Sequence, residues 1–144
     1  MRLLLAQLNS TVGDFSGNYA KIIKVLKKAR KDSFDLVIFP ELMITGYPAR
    51  DLLLQPHFIQ HALEVLDEIV AHSQGIGVVV GVPRLNPDPR KKPLFNSAAV
   101  IEDGVLLGFQ DKVLLPTYDV FNEDRYFEPA NQNMLWKIAG KNAG

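Results

Sequence analysis

Two residues with side chains suited to chemistry stand at the ends of predicted strands. Glu41 follows residues 36–39, an apolar run rich in β-branched residues, and Pro40 between them removes a strand donor. Lys112 stands where the second strand of a predicted hairpin ends. The carboxyl ends of strands in an open α/β sheet form the edge where ligands bind, so a carboxylate and an ammonium group there could act on a ligand. The simpler alternatives are a salt bridge between them, a glutamate that caps a helix or points into water, and an exposed lysine.

The cysteine and histidine content restricts other kinds of site. The chain contains no cysteine, which excludes disulfides, thiolate metal sites and a thiol nucleophile among these residues. The three histidines, His57, His61 and His72, fall in one predicted helix. His57 and His61 are one turn apart and could share a metal, but no third ligand is recognisable, so we predict surface histidines and no metal site.

The charge balance argues against some partners. Formal net charge is +0, from 16 acidic residues and 16 Lys and Arg, whereas nucleic acids and anionic membranes require a clustered basic surface. The basic run at residues 90–92 is short and is predicted to be a solvated loop. No signal peptide and no apolar run of membrane-spanning length is recognisable, so we expect a cytoplasmic protein.

The elements that would position Glu41 and Lys112 predict an α/β fold with a mixed sheet and one domain. The predicted strands are residues 2–8, 36–39, 76–82, 95–102, 105–110 and 134–138. The predicted helices are 18–31, with Asn18 as N-cap, and 56–73, with Pro56 in its first turn, and a short helical turn lies at 48–54. The first and third strands are predicted to be buried, and the third to end at Pro83.

Connections between these elements decide how the strands pair. A strand–helix–strand unit implies parallel pairing with a right-handed crossover. Asp103-Gly104 between two apolar runs is a strong hairpin signal and adds antiparallel strands. The irregular stretch at residues 114–133 is long enough to be functional, and residues 139–144 have the composition of a turn.

Several motifs resemble the nitrilase (carbon–nitrogen hydrolase) superfamily. They are Phe39-Pro40-Glu41, Thr45-Gly46-Tyr47-Pro48, Asp51-Leu52-Leu53 and the strand-end Lys112. The stretch from Asp111 to Pro129, which contains Tyr118 and Glu123, is similar along its whole length to the lysine motif of one branch. That branch is the glutaminase domain of the glutamine-dependent NAD synthetases, whose usual opening also resembles residues 1–14.

The resemblance implies a Glu–Lys–Cys triad that hydrolyses the side-chain amide of glutamine. It assigns Glu41 as general base and Lys112 as oxyanion stabiliser, while Tyr118 lines the glutamine pocket and Glu123 supports the lysine. The implied fold is half of a four-layer α-β-β-α sandwich, with helices on one face of the sheet. Ammonia would pass to a synthetase domain that binds ATP and Mg and amidates nicotinic acid adenine dinucleotide, while residues 1–144 hold no cofactor.

The chain departs from this family in lacking the nucleophilic cysteine. In the family that cysteine lies on the strand expected next, so residues 1–144 are expected to be an incomplete, inactive amino-terminal portion of the glutaminase domain. We then expect apolar surface that is exposed or covered by a partner, and a homo-oligomer by family resemblance. The alternatives are another amidase, nitrilase or carbamoylase, and a non-catalytic nitrilase-like module that binds a partner.

Overall fold

The strands form the mixed sheet that the sequence predicts. A computed structural model describes residues 1–119 and 121–143, so Val120 and Gly144 lie outside the described residues. The strands of the main sheet are β1 (Leu3–Leu5), β2 (Leu36–Ile38), β3 (Gly77–Leu85), β4 (Leu94–Glu102) and β5 (Val105–Asp111). Their order in the sheet is their order in the chain. The pairs β1-β2 and β2-β3 are parallel, and β3-β4 and β4-β5 are antiparallel.

Two long helices cover one face of the main sheet. They are α1 (Phe15–Lys31) and α2 (Pro56–Ala71), and a 3-10 helix at Arg50–Leu54 precedes α2. Leu26 of α1 and Ile69 of α2 are fully buried in one apolar cluster with Val78 and Val80 of β3. Pro56 occupies the first turn of α2 as predicted, because its missing N–H is not needed there.

Helix α1 begins earlier than the sequence predicts. Its N-cap is Asp14, whose carboxylate accepts a hydrogen bond from the Gly17 N–H at 2.9 Å. Asn18, the predicted cap, lies inside the helix and is buried. Its amide bonds both backbone groups of Thr11 and the carbonyl of Ile44. Asn18 therefore ties the preceding loop to the segment after Glu41, because its amide can donate and accept at once.

Strand β1 is shorter and less buried than predicted. It covers three residues instead of 2–8, and the side chains of Leu3 and Leu5 are 42% and 68% exposed. Leu4 packs against the cluster below the helices. Because side chains alternate along a strand, the opposite face of β1 carries apolar side chains in contact with solvent.

Strand β3 continues through Pro83, where the sequence predicts an end. Pro83 pairs with Asn96 of β4, whereas the pairing of β2 with β3 reaches only Val79. Beyond Val79 the strand therefore has a neighbour on one side, and a proline without an N–H donor is tolerated in such an edge position.

Two hairpins have the same turn geometry. Asp103 and Gly104 have φ of 49° and 76°, and the predicted hairpin β4-β5 is confirmed. Of the residues 139–144 predicted to be turn, Ala139 and Gly140 form the turn of a second hairpin, whose strands are β6 (Trp136–Ile138) and β7 (Lys141–Ala143). Its turn residues Ala139 and Gly140 also have positive φ, but alanine in the first position hides the hairpin signal.

The second hairpin lies on the face of the main sheet opposite the helices. Ile138 of β6 is buried against Leu36 of β2 and Val100 of β4. Trp136 lies over β5 so closely that a Cβ at Gly108 would come within 2.6 Å of its ring. None of the helices in the described residues is long and apolar enough to cross a membrane.

A charged pair joins the ends of β3, β4 and β5. The Arg84 guanidinium binds both carboxylate oxygens of Asp111, with Nε 2.8 Å from Oδ1. The Ser97 hydroxyl donates to the same Oδ1 at 2.6 Å. The guanidinium also lies 4.6 Å and 5.3 Å from the ring centroids of Phe95 and Phe109. Both side chains are largely buried, and Asp111 directly precedes Lys112 in the chain.

Replacing Arg84 with lysine is expected to lower the free energy of unfolding by about 2 kcal/mol, because lysine keeps the charge but loses the two-pronged bond and the ring contacts. Urea denaturation measures this change. The matched control is Arg90→Lys, which alters an ion pair with Asp88 in which the arginine side chain is 86% exposed, and we expect no measurable effect there. Equal effects of the two substitutions would contradict the prediction.

Candidate active site

Glu41 is held at the edge of the sheet by a tight turn over β3. The Phe39 N–H donates to the Val79 carbonyl of β3 at 2.8 Å, and the Ile44 N–H donates to the Gly81 carbonyl of the same strand at 3.3 Å, so Glu41 lies between two bonds to β3. The chain then passes so close to Gly81 that a Cβ there would lie 2.2 Å from the Leu42 nitrogen. Only glycine allows this approach, so the position of Glu41 depends on Gly81 as well as on Pro40.

Lys112 reaches the same edge from β5. Its N–H donates to the Asn96 carbonyl at 2.8 Å, and its carbonyl accepts from Ala130 at 3.0 Å. Its Nζ lies 2.8 Å from Oε1 of Glu41. The structure thus brings together the two residues singled out in the sequence, 71 positions apart.

A second carboxylate completes this group. Glu123 opens a 3-10 helix at Glu123–Arg125 and is only 2% exposed. Its two oxygens lie 3.2 Å and 3.0 Å from Lys112 Nζ, and the Tyr47 hydroxyl donates to Oε1 at 2.9 Å. These donors compensate the buried charge, which would otherwise be costly. The contact with Lys112 is the one that a supporting role for Glu123 requires.

The surroundings raise the pKa values of two residues in this group, Lys112 and Tyr47. Burial alone would lower the pKa of Lys112, but hydrogen bonds and charges from Glu41 and Glu123 outweigh it and raise that pKa. Burial, the hydrogen bond to Glu123 and the nearby negative charges raise the pKa of Tyr47. At neutral pH the lysine is therefore cationic and the tyrosine is a neutral donor.

Tyr118 lies away from the charged group. Its side chain is 68% exposed, and its ring meets that of Phe121 edge-on, with centroids 5.6 Å apart. Phe121 in turn lies 6.4 Å from the ring of Tyr47. An aromatic chain thus connects Tyr118 to the buried carboxylate, while its role towards a substrate stays a prediction.

Glu41 and Lys112 line a cleft of about 350 Å³ over the sheet edge. Other lining residues are Phe39, Gly81, Asn96, Asp111 and Asn133. A half-exposed carboxylate can accept a proton there, and the adjacent ammonium can stabilise a developing anion. This combination suits the attack of a nucleophile on a polarised carbonyl. The 144 residues contain no cysteine, so they do not supply a thiol for that attack.

The histidines do not approach this cleft. His61 stacks on Phe15, with ring centroids 4.3 Å apart, and His72 follows the end of α2 beside Tyr19. In residues 1–119 and 121–143, no group of three His, Asp or Glu side chains is arranged to hold a metal ion.

Sequence reasoning missed the site contacts of Asn96 and Tyr47. Asn96 is buried on β4 and donates to Glu41 at 2.6 Å. The signal was two adjacent polar residues, Asn96 and Ser97, in an otherwise apolar strand next to the predicted site. Tyr47 belongs to a recognised motif, but its contact with Glu123 spans 76 positions and was not visible in the sequence.

The raised pKa values predict a loss of stability at alkaline pH. The folded protein retains protons on Lys112 and Tyr47 that the unfolded chain releases above pH of about 10. Their contribution is therefore complete at neutral pH, and the free energy of unfolding should fall as pH rises beyond that value. Denaturant titrations between neutral and strongly alkaline pH measure it.

Matched tyrosine variants test the source of this alkaline loss. Tyr47→Phe should flatten part of the decline, because it removes the half-buried hydroxyl whose pKa is raised, while the exposed Tyr118→Phe, which removes only the smallest of the charges acting on Tyr47, should flatten it much less. An identical alkaline decline in both variants would contradict the assignment to Tyr47.

Comparisons with known proteins find similarity along the whole chain. The glutamine-dependent NAD(+) synthetase of Thermotoga maritima is 40% identical over 144 residues, covering 100% of this chain and 24% of that protein. The Aquifex aeolicus enzyme is 42% identical over 142 residues, covering 97% and 24%. The structure of glutamine-dependent NAD+ synthetase from Acinetobacter baumannii, in complex with ADP, matches with a TM-score of 0.88 at 35% identity, covering 97% and 26%.

The chain thus spans about a quarter of the length of the curated relatives it matches. Its residues 2–143 match the family described as carbon-nitrogen hydrolase. Since this match extends over nearly every residue and includes the strand ends that carry Glu41 and Lys112, the chain belongs to the carbon–nitrogen hydrolase family.

Proposed function

We propose that these residues form the amino-terminal part of the glutaminase domain of a glutamine-dependent NAD synthetase. That domain hydrolyses glutamine, and the ammonia amidates nicotinic acid adenine dinucleotide in an ATP-dependent reaction. Similarity along the whole chain to proteins of that name supports the proposal. The observation that carries it is the contact of Lys112 with Glu41 at 2.8 Å in an open cleft.

The proposed reaction requires a cysteine thiol from outside residues 1–144. Glu41 takes the thiol proton, and the thiolate attacks the amide carbon of glutamine. Lys112 stabilises the oxyanion of the tetrahedral intermediate, which collapses to a thioester as Glu41 returns its proton to the amide nitrogen and ammonia leaves. Glu41 then takes a proton from water as the water attacks the thioester, and returns that proton to the departing sulfur, so that glutamate and the free thiol are released.

The remaining assignments extend the same proposal. Glu123 keeps Lys112 at the oxyanion position. Tyr118, at the exposed end of the row of rings formed with Phe121 and Tyr47, contacts glutamine. ATP and Mg bind to a synthetase domain, so residues 1–144 hold no cofactor. The protein works in the cytoplasm as a homo-oligomer, and glutamine and the synthetase domain are its partners.

A glutaminase assay on the complete gene product that contains these residues tests the proposal. We expect ammonia and glutamate from glutamine, and NAD when ATP and nicotinic acid adenine dinucleotide are added. Small aliphatic amides form the comparison, and preference for them over glutamine would favour a different carbon–nitrogen hydrolase.

The 144-residue chain by itself is expected to release no ammonia from glutamine, because the base and the oxyanion lysine have no thiol to act with. The measurement is ammonia production at equal molar concentrations of this chain and the complete product. Activity of the short chain that equals that of the complete product would overturn the proposed mechanism.

A further inference from the structure

Asn96 contacts Glu41, Lys112 and Glu123, the three residues of the charged group. The residue lies on β4 and is 4% exposed. Its Nδ2 is 2.6 Å from Oε1 of Glu41 and 3.5 Å from Oε2 of Glu123. Its backbone carbonyl accepts from the Lys112 N–H at 2.8 Å. Because ionised carboxylates only accept hydrogen bonds, the NH₂ group of the amide is the end that must face them.

The two oxygens of Glu41 have different surroundings. Oε1 accepts from Lys112 Nζ at 2.8 Å and from Asn96 Nδ2 at 2.6 Å. Oε2 has no hydrogen-bond partner within residues 1–119 and 121–143, and the Glu41 side chain is 43% exposed. A carboxylate with one oxygen held by two donors presents the other oxygen to the cleft in a defined direction.

Lys112 by itself would not fix that direction. Its ammonium is a point charge on a flexible stem and is shared with Glu123 at 3.0 Å. Asn96 instead has a short side chain on a strand that is paired on both sides, by β3 and β5. The amide therefore restricts the rotation of the Glu41 carboxylate.

We propose that Asn96 is a positioning residue that holds Oε1 of Glu41, so that Oε2 is the oxygen that accepts the proton of the nucleophile. This inference rests on the proposed glutaminase function. The other ionisable groups that face Glu41 or line its cleft are Lys112, Glu123, Tyr47 and Asp111. None of them can replace the amide donor, because Asp111 and Glu123 are acceptors, the Tyr47 hydroxyl donates to Glu123, and Lys112 already donates to Oε1.

The test substitutes Asn96→Ala in the complete gene product and measures glutamine hydrolysis across pH. We expect kcat/KM to fall about 10-fold at neutral pH through kcat, with KM little changed. The acidic limb of the kcat/KM profile should move up by about one pH unit, because ionised Glu41 loses a charge-assisted hydrogen bond. A structural defect alone would lower the active fraction without moving that limb. The control, Asn142→Ala at an exposed position on β7, should change neither quantity.

A second readout does not depend on catalysis. The ¹³C signal of the Glu41 carboxyl group, followed by NMR across pH in the wild type and in Asn96→Ala, should change at higher pH in the variant. Asn96→Leu, which has nearly the same size and no donor, replaces the alanine variant if that one does not fold, and should shift both readouts in the same direction. The proposal would be overturned if a folded variant kept the acidic limb of its kcat/KM profile and the pH dependence of its Glu41 ¹³C signal at the wild-type positions. A shifted NMR titration in a protein that does not hydrolyse glutamine would support the hold on Oε1 and reject the glutaminase function.

Discussion

In the proposed glutaminase reaction, Glu41→Gln is expected to lower kcat for glutamine hydrolysis by the complete gene product about 10³-fold, because the amide cannot take the proton of the nucleophile or of water. Glutamine has nearly the shape of glutamate, and the side chain is 43% exposed, so the fold should be kept. Ammonia release under saturating glutamine measures the effect. NAD formation from added ammonium salt should persist, because this route does not use the glutaminase site.

The matched control for this variant is Glu64→Gln on the exposed side of α2. It removes the same charge at a distance from the cleft and should leave kcat unchanged. A Glu41→Gln protein with near wild-type glutaminase activity would reject Glu41 as the base. Loss of the ammonium-dependent reaction as well would point to a folding defect.

Lys112→Met is expected to lower both activity and stability. Loss of the cation removes the proposed oxyanion stabilisation and should reduce kcat for glutamine hydrolysis about 10³-fold. Glu123, whose side chain is 3% exposed, would also lose its counter-charge, and we expect the free energy of unfolding to fall by about 3 kcal/mol. Single-turnover kinetics and urea denaturation measure the two effects separately.

A double substitution separates the two roles of Lys112. Lys112→Met combined with Glu123→Gln removes the buried charge together with its partner, so most of the stability should return while activity stays low. Lys27→Met, at an exposed position of α1, is the control and should change neither quantity. Recovery of activity in the double variant would show that Lys112 acts only by neutralising Glu123.

Local patterns predicted the elements well where the physics is local. Asp103-Gly104 predicts a hairpin because both turn residues need positive φ. Pro56 predicts the first turn of α2 because the N–H that proline lacks is not needed there. The sequence predicts Asn18 as the N-cap of α1, but several polar residues in that stretch can cap a helix, and the cap is Asp14. Which of them does so was decided by Thr11 and Ile44, which occupy the Asn18 amide.

Predictions of burial failed where they depended on neighbouring layers. The apolar composition of residues 2–8 suggested a fully buried strand, yet Leu3 and Leu5 are exposed on the face opposite the helices. The pairing of β6 with β7 around Ala139 and Gly140 was not predicted either. That hairpin is held on the main sheet by Ile138, which is buried against Leu36. A strand's own residues do not encode what lies on each side of it.

The sequence by itself determined the chemical inventory of this protein. It placed a carboxylate and an ammonium group at strand ends, showed that no thiol is present, and carried the motifs that identify the family. The tertiary structure decided how these groups meet. Parallel β2 and antiparallel β5 bring Glu41 and Lys112 to one edge, and buried Asn96 and Glu123 divide the hydrogen bonds among them. Such contacts join residues far apart in the chain, and their geometry follows from strand register and side-chain packing, which no local pattern specifies.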